Sequence, residues 1–145
     1  MAVTDRQVAT LRAQLAGDLE EHKRMLTHFD EESDARPYVT LTNAAFFKAV
    51  DRKFNSDTTA DDIIGFVADV RSRSENVRAA LDPRVAERVL LALVKDADIS
   101  DLDRREARRS ERILLNALIA DEHLDPAGLD EFMATARKLA DELLG

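Results

Sequence analysis

Apolar residues recur every three or four positions along most of this chain, and that spacing suits only one kind of element. Near the start, Val8, Leu11, Leu15, Leu19, Leu26 and Phe29 follow it, with His22 on the same stripe. Near the end, Leu129, Phe132, Met133, Ala136, Leu139, Ala140 and Leu143 do the same. A period near 3.6 is one face of an amphipathic helix. The period of two that a half-buried strand needs appears only briefly, from Tyr38 to Leu41. Four Gly and three Pro are too few for a turn-dense β fold. At 145 residues and 45% apolar, the chain can bury a core without disulfides or a structural metal. The expected fold is all-α: a single domain over 1–145, a bundle of five or six helices.

The pattern predicts a long first helix over about 4–29, capped by Thr4 or Asp5 and roughly 38 Å long at 1.5 Å per residue. Gly17 is its weak point. The acidic run Asp30 to Asp34, with Pro37 behind it, predicts a loop over about 30–41. A helical core then fills about 42–145. Thr42 caps its first helix, whose Phe46, Phe47 and Phe54 mark it as a core centre. Thr59 and Asp62 form a capping-box pattern ahead of a helix over about 60–73, with Ile63, Phe66, Val67 and Val70 inward. Asp61 and Asp62 read as first-turn acids opposing the helix dipole, not as a catalytic pair. A short helix falls near 74–81. Asp82-Pro83 and Asp125-Pro126 each place a cap before a Pro at the first helical position. Val89 to Val94 is apolar all round, which predicts a central helix. A further helix is expected over about 101–121.

Two stretches echo one another. Leu90 to Glu106 and Leu115 to Glu131 align at a shift of 25, pairing Ala92 with Ala117, Leu93 with Leu118, Asp96 with Asp121 and Ile99 with Leu124. Each is a helix end, a short acidic turn and a capped helix. The C-terminal half thereby resembles a degenerate EF-hand-like pair of helix–loop–helix units. Asp96, Asp98 and Ser100 fall on the first ligand positions of such a loop, as do Asp121, His123 and Asp125. Position six, where the turn needs Gly, holds Asp101 and Pro126. Position twelve, where a bidentate Glu closes the site, holds Ala107 and Phe132. The echo is therefore expected to be structural, without calcium.

Several chemistries lack their residues. Zero Cys removes disulfide scaffolds, thiolate metal sites and cysteine nucleophiles. His22, His28 and His123 match neither the His-Glu-x-x-His nor the Glu-x-x-His spacing. His22 is expected to be a half-buried residue held by Asp18. There is no Gly-x-Ser-x-Gly elbow and no Gly-rich phosphate loop. No catalytic, cofactor or metal residue is therefore expected. The N-terminus lacks the apolar stretch of a secretory signal, and no window approaches a membrane span, so the expected setting is cytoplasmic. The bias to Arg, 16 against 5 Lys, resembles GC-rich bacterial coding.

One stretch departs from this pattern. Arg104, Arg105, Arg108, Arg109 and Arg112 fall within an arc of about 140° at 100° per residue. With Glu106 and Glu111 the stretch nets +3, so the remainder of a chain at −8 carries −11. The simplest expectation is pairing with that acidic remainder, for instance Asp101 with Arg105, so that reversing Arg108 and Arg112 lowers stability modestly. The sequence then favours a non-enzymatic protein-interaction or regulatory module with another protein as partner, able to dimerise through the long first helix. One alternative is anion or nucleic-acid-related binding through the Arg stripe, or acidic mimicry of nucleic acid, although net charge disfavours nucleic acid as a partner. The other is an enzyme or small-molecule binder with a site between helices.

Overall fold

The computed structural model describes residues 1–145 and contains eight helices and no strand. They are α1 (Asp5–Leu15), α2 (Leu19–Leu26), α3 (Glu31–Lys53), α4 (Ala60–Arg71), α5 (Glu75–Ala80), α6 (Pro83–Lys95), α7 (Arg104–Glu122) and α8 (Pro126–Leu144). The all-α class is as expected. The count exceeds five or six because helices begin and end where side chains satisfy free backbone groups, and apolar spacing does not report that.

Gly17 divides the long first helix in two. It adopts φ +83°, the left-handed region that favours Gly. Its N–H donates to Gln14 O and that of Asp18 to Ala13 O, a Schellman ending. Asp18 then starts α2, its carboxylate accepting from the Glu21 N–H. Because the turn preserves the three-and-four rhythm, the stripe reads through it. Leu19 and Leu26 are nonetheless exposed. His22 Nδ1 lies 2.8 Å from Thr10 O, tying α2 back to α1, while Asp18 serves as the cap.

The expected acidic loop over 30–41 is instead the start of α3. Asp30 accepts from the Glu32 N–H, and Asp34 reaches back to accept from the Asp30 N–H. Glu31, Glu32 and Asp34 lie in the first turn, where acids favour the dipole. Pro37 sits inside the helix because the carbonyl it fails to pair, that of Ser33, is on an exposed residue and can meet water. Tyr38 to Leu41 are helical, and Thr42, expected as a cap, donates its hydroxyl to Tyr38 O within the helix.

The chain forms two compact units, Met1–Lys48 with Ile119–Gly145, and Ala49–Leu118. In the first, α1 packs on α2 and α8. Leu11, Leu41, Phe46, Phe132 and Met133 are buried there. Asp34, 4% exposed, accepts from Gln7 Nε2 at 2.7 Å and from Arg6 at 3.1 Å. The Asp30 N–H first, then Gln7 and Arg6, hold its carboxyl below the usual range. Phe29 and Tyr38 meet edge to face at 5.0 Å.

In the second unit α4 packs on α5 and α6. The Thr59–Asp62 capping box forms, and Ile63, Phe66, Val67 and Val70 are buried as expected. Phe54 meets Phe66 edge to face. Asp82 caps α6 with Pro83 in its first turn. The central helix expected from Val89 to Val94 is buried on one side only, since Leu93 is 38% exposed. Phe47, expected in the core, is 42% exposed.

The break at Gly17 makes a test of opposite signs. No neighbouring atom would meet a Cβ there, so Gly17→Ala reports backbone conformation alone. The left-handed residue predicts a loss of about 1–2 kcal/mol in chemical denaturation. A continuous helix would instead gain about 1 kcal/mol from the same change.

Candidate functional site

In the two acidic turns singled out in the C-terminal half, Asp98, Asp101 and Asp125 have ordinary structural partners. α6 ends at Asp96, which takes φ 55°. Asp98 accepts from the Ser100 N–H at 2.9 Å. Asp101 holds Arg88 through two hydrogen bonds of 2.8 and 2.6 Å, not Arg105 as expected. Asp103 accepts from the Glu106 N–H and opens α7. In the second copy, Asp121 is still within α7, and Asp125 already caps α8. Only 123–125 connect those helices, which leaves no room for the second twelve-residue loop of the expected EF-hand-like pair. The Asp125-Pro126 cap starts a helix where the second loop would have continued.

The first three turns of α7 place their side chains as the spacing predicted. Arg104, Arg105, Arg108, Arg109 and Arg112 are all exposed. Ser110 and Leu114, buried on the opposite side, anchor the helix to its unit. The five guanidinium groups and Asp103 line an open depression of about 620 Å³. Farther along, Leu115 and Leu118 are buried and the polar face ends.

The partners expected for these arginines are missing. Elsewhere Arg6, Arg12, Arg24, Arg73, Arg88 and Arg137 each hold a carboxylate. None of the five on α7 does, so intramolecular pairing does not account for them. Glu111 is the acid closest in effect. Burial raises its pKa, and the nearby charge of Arg108 partly opposes that.

The arrangement opposes the helix that carries it. Arg104, Arg108 and Arg112 follow one another at intervals of four, as do Arg105 and Arg109. Arg105 also stands three before Arg108, and Arg109 three before Arg112. Each like-charged pair costs about 0.2–0.5 kcal/mol. Cations near a helix N-terminus add a further small cost. A bound anion would relieve both.

The other depression, of about 440 Å³, lies in the first unit among Arg12, Leu15, Gly17, Ile119, His123 and Leu129. Its lining is largely apolar. Arg12 is held by Asp130 and the Pro126 carbonyl, and Asp125 by the Gly128 N–H, so neither is poised for acid–base work. No helix is long and apolar enough to cross a membrane. No protein-family model, curated protein or solved structure matches the chain.

With no ion pair to lose, reversal of charge in the stripe acts in the opposite direction to that expected from pairing. Arg108→Glu replaces three repulsions, with Arg104, Arg105 and Arg112, by attractions, and sets the introduced carboxylate against Glu111 alone. Chemical denaturation should show a gain of about 1 kcal/mol. A loss of similar size would show that Arg108 has a partner within the chain.

Proposed function

We propose that this protein is a non-enzymatic, cytoplasmic interaction module that binds an acidic partner protein through the arginine face of α7. The observation that supports this is the set of five guanidinium groups without a carboxylate of their own, lining one open depression in a chain whose remainder carries −11. Each presents a planar fork of donors suited to carboxylates. The homodimer expected through a long first helix has lost that helix, and α1 buries Gln7, Thr10, Leu11 and Gln14 within its own unit.

Charge separates an acidic protein from nucleic acid. Duplex DNA presents a charge every ~1.7 Å of axis and runs on past three helical turns of protein. Phosphates past the stripe would meet a chain whose remainder nets −11. A protein partner can offer its acids locally.

Retention on immobilised poly-glutamate at low ionic strength tests the reading. The unmodified protein should be retained and should elute as salt rises. R108E/R112E should pass through while still melting cooperatively. Equal retention of both would contradict the site, and stronger retention on duplex DNA would contradict the class of partner.

A further inference from the structure

Building on that reading, we propose that the partner presents an extended acidic segment with a carboxylate on every second residue, lying along α7 over Arg104, Arg108 and Arg112. These arginines advance by about 6 Å of rise and 40° of turn per step. On one face of an extended chain, alternate side chains stand about 6.6–6.8 Å apart. Three carboxylates in that register cover about 13 Å, against about 12 Å of rise along the arginine row. A helical ligand is a poorer fit, because its own charged row turns as it rises and two convex surfaces diverge after one or two contacts.

Arg105 and Arg109 form a second row beside the first. An extended segment has no internal hydrogen bonds, so its backbone carbonyls are free to accept from these two guanidinium groups. The site thus offers carboxylate forks in one row and carbonyl donors in the next. Asp103 borders the depression at the start of α7, and its carboxylate is turned to the Glu106 N–H. It marks the end at which an acidic ligand must stop. At the other end the buried Leu115, in line with Arg104 and Arg108, closes the row. A segment of about five residues therefore fills the site.

The test uses the full ¹⁵N-labelled chain at low ionic strength, titrated with end-blocked peptides of equal charge. Glu-Ser-Glu-Ser-Glu places all three acids on one face, whereas Glu-Ser-Ser-Glu-Ser-Ser-Glu alternates them between faces. The first should bind about threefold to fivefold more tightly, the value of about one additional exposed ion pair. Its amide shifts should centre on 104–112 and vanish in Arg108→Glu, whose spectrum elsewhere stays folded. Arg108→Gln, which removes the charge without reversing it, should weaken binding in the same order of peptides. Equal affinity for the two peptides would overturn the register while leaving an acidic partner in place. Failure of both to bind would overturn the register and the acidic partner together. Tighter binding of a short DNA duplex than of Glu-Ser-Glu-Ser-Glu would overturn the peptide as ligand.

Discussion

Helix N-termini take up many of the aspartates in this chain, and the rest of the structure depends on that allocation. Asp18, Asp30, Asp82, Asp103 and Asp125 each accept a backbone N–H at the start of a helix. Asp62 accepts the N–H of its own cap residue, Thr59. A cap contributes about 0.5–2 kcal/mol, whereas an exposed ion pair contributes about 0–1 kcal/mol. Where the two compete for a carboxylate, the cap wins. Asp103, at the start of α7, gives an oxygen to the Glu106 N–H and forms no ion pair with the stripe. Other acids pair with arginines outside α7, as Asp34 does with Arg6 and Asp101 with Arg88. The stripe is left uncompensated although acids outnumber bases in the chain, 29 to 21.

The same allocation explains what the sequence did and did not disclose. Thr59 with Asp62, Asp82-Pro83 and Asp125-Pro126 were legible because a cap directly precedes an apolar rhythm. The Gly17 turn was not, because Leu15 and Leu19 keep the helical interval across it. Asp30 to Asp34 looked like a solvated loop because acidic runs and N-terminal helical turns share a composition. Backbone capping by Asp30 and Asp34 separates the two cases, and composition does not encode it. The positions of the five arginines were readable from a 100° wheel, but their lack of partners was not. Pairing depends on which carboxylates the fold brings near, and Asp101, four residues before Arg105, is drawn instead to Arg88 on α6.

Burial by itself would give a less specific account of α7. Its second half is apolar on most sides and belongs to the core, with Leu114, Leu115 and Leu118 fully or nearly buried. That packing holds in place a first half whose charges oppose helix formation. Tertiary burial can sustain such a segment because a few buried Leu contribute about 1.5–3 kcal/mol each. The repulsions on the stripe cost only a few tenths each. A rigid helix thereby presents a row of guanidinium groups at defined spacing.

The fold leaves these five arginines without an ion pair within the chain. Arginine-selective dicarbonyl modification, mapped by mass spectrometry on the folded protein, tests this most directly. The account predicts that Arg104, Arg105, Arg108, Arg109 and Arg112 react together and ahead of the paired Arg6, Arg12, Arg88 and Arg137. Protection of the five to the same degree as Arg88 would contradict it.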